Sequence, residues 1–174
     1  MPDLYVYFIA SLPMLRFSQS PPFSAQELLS RCSQLIPEED VQVLRSLLTC
    51  PEAFADRPVI RAWLDFDTAL RNELVRIRAG RKKAAAQKYL RPDGYAGPAI
   101  YHIALAAHRN PSPLEGERLL DEARWNYLEE LSFGHYFDLD FLIVYMFKLL
   151  ILERWQRIHS ADKETLLKEV LYAG

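Results

Sequence analysis

The sequence predicts an all-α protein, a bundle of seven to eight helices with no sheet. Three observations carry this. Apolar residues recur at three- and four-residue steps through most of the chain, helix-starting residues precede those stretches, and no two segments alternate apolar and polar residues as paired strands would. With 174 residues, 50% hydrophobic and 25% charged, the chain has the composition of one ordinary globular domain with a core of its own. We therefore read 1–174 as a single domain, with a softer lobe boundary near 91–97, where proline and glycines break continuity without forming a linker.

Residues 3–12 carry aromatic and β-branched side chains on both faces. A helix is favoured there, because a lone strand would leave its backbone groups unpaired. The stretch Ser18 to Phe23, with Pro21 and Pro22, is a loop. Ser24 then caps a helix, with Glu27 three positions on completing a capping box, and a second helix starts at Pro37 with Glu38, Glu39 and Asp40 in its first turn. Together they make a helical hairpin.

The strongest periodic segment runs from about Arg57 to Lys83. Ile60, Trp63, Leu70, Leu74 and Ile77 form one stripe, with Asp67 at the remaining step. Gly80 weakens the end of this helix, and Ala84 to Leu90 continues it at a new angle or begins another. Arg91-Pro92-Asp93-Gly94 is a turn, 98–108 a short buried helix, and 110–113 a loop. A helix over 114–131 turns Leu120, Ala123, Tyr127 and Leu131 inward. After Gly134, Asp138 caps an apolar helix to Ile158, and Ser160 caps a last helix over 161–172.

Several function classes lose ground on composition and motif. Cys32 and Cys50 lie outside any metal-binding or redox spacing. There is no Gly-rich phosphate loop, no GxSxG and no HExxH, and the four histidines, 102, 108, 135 and 159, are scattered, with His102 and His108 six apart on one helix and so turned to different faces. Asp65/Asp67 and Asp138/Asp140 are two apart, so on a helix the members of each pair diverge. The expectation is a non-enzyme without metal or cofactor. Met1-Pro2-Asp3 lacks the basic start of a signal peptide, and the run Phe141 to Leu152 is broken by Lys148 and too short for a bilayer. A cytoplasmic location is expected.

Charge distribution says more than its sum. The formal net charge is -2, yet Arg71 to Arg91 holds eight basic residues against the single acid Glu73, a local charge of +7. A solvated helix face is the ordinary reading of such a run; read as an interface, Arg76, Arg78, Arg81, Lys82 and Lys83 are its candidates, suited to an acidic protein partner. The alternative is a free-standing helical nucleic-acid-binding module using 71–91, although Tyr89 is the only aromatic within the run. Lys148, inside its apolar run, needs either an outlet to solvent or a carboxylate. Asp67, the charged position of the other apolar seam, is its candidate partner across two packed helices; local pairing of Asp67 with Arg71 competes.

Three stretches carry a resemblance. Tyr5-Val6-Tyr7-Phe8-Ile9-Ala10-Ser11-Leu12-Pro13-Met14-Leu15 with Pro21-Pro22-Phe23-Ser24 resembles the start of a bacterial family of unknown function whose genes accompany V/A-type ATPase operons. Leu70 to Ala79 (LRNELVRIRA) is similar to that family's central helix. Phe137-Asp138-Leu139-Asp140, Tyr145, Lys148-Leu149 and Glu153-Arg154-Trp155 look like its C-terminal helix. Tyrosine, lysine and then Glu153, Arg157 and Ile158 also resemble the C subunit of V/A-type ATPases, called d in eukaryotic enzymes, a helical socket between central stalk and membrane ring. This chain is much shorter than that subunit, which is built from three similar helical modules. The resemblance implies a non-catalytic subunit or assembly accessory. Its expected partners are stalk or ring subunits, and its expected position is peripheral, on the cytoplasmic face of the inner membrane.

Overall fold

A computed structural model describes residues 2–172 except 84, 93, 94, 96 and 98, with side chains described for 5–161 apart from those five positions. Seven α-helices and two short 3-10 segments make up the regular structure of the described residues. They fall into two compact units, one formed by 1–47 with 134–174 and the other by 48–133. Of the expected boundary at 91–97, Asp93, Gly94 and Ala96 lie outside the described residues, and the others belong to the second unit.

In the first unit, α1 (Pro2–Ser11), α2 (Ala25–Cys32) and α3 (Glu38–Ser46) accompany the long α7 (Leu139–Tyr172). The ambiguous N-terminal segment is helical, as expected. The Ser24 side chain accepts the Glu27 N–H and caps α2, whereas the Glu27 carboxylate pairs with Arg31 one turn on. Pro37 is the N-cap of α3, and Glu38, Glu39 and Asp40 complement its N-terminal dipole. α2 and α3 both pack on α7. Leu28, Val41, Leu44, Leu142, Ile143, Met146 and Leu149 are fully enclosed. The Ala25 N–H donates to Glu153 Oε1 at 2.8 Å, and the Tyr145 hydroxyl donates to the Pro13 carbonyl at 2.8 Å. Burial pushes the pKa of that phenol up to about 12.

Asp138 caps α7 as expected, its Oδ1 accepting the Phe141 N–H at 2.9 Å. The expected stop near Ile158 and restart at Ser160 are corrected. α7 runs unbroken to Tyr172, since His159-Ser160-Ala161 contains neither Gly nor Pro to interrupt the backbone ladder and an exposed serine is tolerated inside a helix.

The second unit holds α4 (Pro58–Lys82), α5 (Ala99–Arg109) and α6 (Pro113–Leu131), with 3-10 segments at Pro51–Phe54 and Ala86–Tyr89. Pro58 at the first turn of α4 loses nothing by lacking an N–H. The α4 stripe buries Ile60, Trp63, Leu70 and Leu74, while Ile77 is half-buried. Leu70 and Leu74 share a core with Phe66, Ala69, Ile100, Ala104, Ala107 and Leu120, and Ile77 packs against it. Phe66 stacks on Tyr127 with centroids 4.1 Å apart, and Tyr95 meets both rings edge-on at 5.2 and 5.6 Å.

Two further expectations change here. The segment after α4 is a single 3-10 turn, Ala86–Tyr89, and not a longer helix; Ala84 lies outside the described residues, as do Asp93 and Gly94 of the expected turn. The buried line of α6 is Gly116, Leu120, Asp121, Trp125 and Leu128, whereas Ala123, Tyr127 and Leu131 are half-buried. An acidic residue occupies a core-facing position because Arg124 satisfies it, as described below.

Candidate functional site

The last two turns of α4 carry the expected basic cluster. Arg76, Arg78, Arg81, Lys82 and Lys83 are all exposed. Arg76 is paired with Glu73, one turn back on the same helix. Among the described residues, Arg78, Arg81, Lys82 and Lys83 have no carboxylate within ion-pair reach. Arg81 and Lys82 occupy the last turn, where cations favour the carbonyl end of the helix dipole. Lys83 closes the helix in the left-handed conformation, φ +53°, with its N–H donating to the Gly80 carbonyl at 3.4 Å. The helix end therefore has a defined geometry and presents uncompensated charge to solvent.

Earlier on α4 lie buried polar contacts that spacing alone did not reveal. Asn72 is 3% exposed, and its carboxamide spans to one peptide: Nδ2 donates to the Arg91 carbonyl at 2.7 Å and Oδ1 accepts the Arg91 N–H at 3.0 Å. That clamp fixes Arg91, the end of the basic run, to α4. Asp67 accepts from Arg71 Nη2 at 2.8 Å and from Arg124 Nε at 2.7 Å, and Arg124 Nη1 reaches Asp121 Oδ1 at 2.7 Å. Asp121 is 1% exposed. Burial alone would lower the Arg124 pKa, but the two carboxylates more than restore it, and the guanidinium ends above the ordinary arginine value. The sequence signal for this network was Asp121 in line with Trp125 and Leu128 at helical steps.

Asp67 thus lies in the second unit, in the hands of two arginines, while Lys148 lies in the first, half-buried in α7. Of the histidines, His102 and His159 are exposed, and His135 Nδ1 stands 2.7 Å from Asp138 Oδ2 and 3.7 Å from Asp140 Oδ2. His108 lines a surface pocket of about 200 Å³ where α4, α5 and α6 meet, in company with Arg78, Asn110 and Glu117. Among the described residues, no three or more His, Cys, Asp or Glu side chains gather in a way that could hold a metal ion. No helix of the described residues is long and apolar enough to cross a membrane.

Residues 99–173 match the family model described as a protein of unknown function, DUF2764. That stretch takes in α5, α6 and α7 and leaves α4, with its basic end, outside the match. No curated protein and no solved structure matches the chain significantly.

Proposed function

We propose that this protein is a non-catalytic helical component of a V/A-type ATPase, engaging an acidic surface on the stalk or ring through the basic end of α4. The carrying observation is the group Arg78, Arg81, Lys82 and Lys83, exposed on a helix end whose geometry is set by the Lys83 cap. Like charges held together on one short segment repel, and an acidic partner relieves that repulsion while steering encounter. The resemblance of residues 5–15 with 21–24, of 70–79, and of positions within 137–155 to proteins of V/A-type ATPase operons is what supports a stalk or ring subunit as the partner. The role follows from the same resemblance: coupling or assembling the stalk and the ring without nucleotide chemistry.

The test is affinity purification of the tagged chain from its native membranes in gentle detergent, followed by mass spectrometry. A variant with Arg76, Arg78, Lys82 and Lys83 changed to Glu runs in parallel. The wild type is expected to bring down stalk or ring subunits and the variant to lose them. Recovery of no ATPase subunit from membranes holding the assembled enzyme contradicts the proposal. A nucleic-acid role is favoured instead if the wild type binds generic RNA or DNA with steep salt dependence.

A further inference from the structure

We infer that the pocket where α4, α5 and α6 meet is an anchor for one carboxylate on an apolar stem, contributed by the partner that docks on the basic end of α4. This inference rests on the docking role proposed above and narrows it to a chemical group. Arg78 belongs both to the exposed cluster and to the pocket lining, so a partner lying on the cluster reaches the pocket.

Helical spacing builds the walls. Leu74 and Arg78 are one turn apart on α4, so an apolar patch lies beside the guanidinium, and Glu117 and Leu120 share a face of α6. Leu74 and Leu120 are 8% and 3% exposed and form an apolar floor. His108, in the last turn of α5, is half-buried and lines the same space. Asn110 Oδ1 is committed to the Ser112 N–H at 2.9 Å, which leaves its amide nitrogen to donate. The walls are held by backbone: a Cβ on Gly116 would stand 2.6 Å from the Ala107 carbonyl oxygen, so α5 and α6 touch where the glycine sits. A pocket bounded this way is formed before its occupant arrives.

Size and charge select the occupant. At about 200 Å³ the pocket is smaller than the roughly 300–1,000 Å³ of small-molecule and cofactor sites, and suits a single side chain or chain end. Arg78 offers a forked donor pair that matches a carboxylate, with His108 and Asn110 as further donors. Glu117 sets a limit on negative charge in the same space, favouring a monoanion over a dianionic phosphate.

The test is an NMR titration of the full chain with N-acetyl-L-leucine, a monoanionic carboxylate on an apolar stem, and separately with inorganic phosphate. Saturable amide shifts at Leu74, Arg78, His108 and Asn110 are expected with the first. Arg78→Ala and His108→Ala should each weaken binding about tenfold, Arg78→Lys less, and Glu117→Gln should strengthen it. A Arg81→Ala/Lys82→Ala/Lys83→Ala variant should bind the small probe as wild type does. Absence of saturable shifts overturns the inference, as does phosphate binding as tightly as the carboxylate, or weaker binding by Glu117→Gln. The two proposals fail separately. Partner capture that survives His108→Ala but not reversal of Arg81, Lys82 and Lys83 refutes the anchor and keeps the docking surface; a pocket that binds the probe in a chain capturing no ATPase subunit does the reverse.

Discussion

Replacing Arg124 with methionine removes the one guanidinium that joins Asp67 to Asp121, while keeping the length and apolar stem of the side chain. Asp121 is 1% exposed and loses a 2.7 Å charge-assisted bond; Asp67 loses another of 2.7 Å but retains Arg71 at 2.8 Å. Removing one partner of a buried ion pair costs about 3–5 kcal/mol, because the remaining charge stays desolvated. The retained Arg71 bond puts this case near the lower end, about 3 kcal/mol. For a chain of this size that corresponds to a Tm lower by about 6–12 °C. Urea unfolding followed by circular dichroism and tryptophan fluorescence measures it, with Trp63 and Trp125 reporting on the second unit and Trp155 on the first. Adding Asp121→Leu to Arg124→Met removes the buried carboxylate that Arg124 had paired, and the double variant should recover about 2 kcal/mol relative to the sum of the single ones. A loss below about 1 kcal/mol for Arg124→Met, or simple additivity of the pair, would refute the claim that this network carries buried charge.

Gly116→Ala should destabilise the chain by about 1–3 kcal/mol, because the new methyl group meets the Ala107 backbone oxygen, which cannot swing aside. Gly80→Ala, with nothing within 4 Å of its added Cβ and a helical backbone, should stabilise by about 0.5–1 kcal/mol; the same denaturation series checks both signs. Ellman's reagent should titrate one thiol in the native protein and two after unfolding, since Cys50 is exposed whereas burial pushes the Cys32 thiol up to about 12. The Asp138 hydrogen bond, aided by the Asp138 and Asp140 charges, raises the His135 pKa above 6.5. Its stabilising contribution is therefore complete below about pH 6.5 and fades as pH rises through the raised value. A Tm series across that window should slope less in His135→Gln; an unchanged slope contradicts the assignment.

Helix positions were legible wherever a local signal stood alone. Ser24, the acidic turn after Pro37 and Asp138 each sit where their caps or first turns are observed, because capping depends on neighbours three residues away at most. Ser160 misled for the same reason: its hydroxyl marks a helix start only if the backbone stops before it, and the apolar helix ahead of it supplies no break. On α6, periodicity chose the wrong neighbouring face, since Asp121 counted against the true buried line until Arg124 is seen to satisfy it. The basic residues of α4 were readable as a run, and their exposure follows from charge. The Asn72 clamp on Arg91 and the meeting of Arg78 with His108 and Glu117 were not readable, because each joins elements whose proximity is set by packing of α4, α5 and α6.

The proposed function sets the basic end of α4 against an ATPase stalk or ring subunit. Site-specific photocrosslinking from position Lys82, in cells carrying the assembled enzyme, tests it most directly, because a zero-to-short-range adduct reports contact at that surface. A cross-link to a stalk or ring subunit is expected, and it should disappear when Arg78, Arg81 and Lys83 are changed to Glu. Cross-links to nucleic acid, or none to any ATPase subunit while the enzyme is intact, would contradict it.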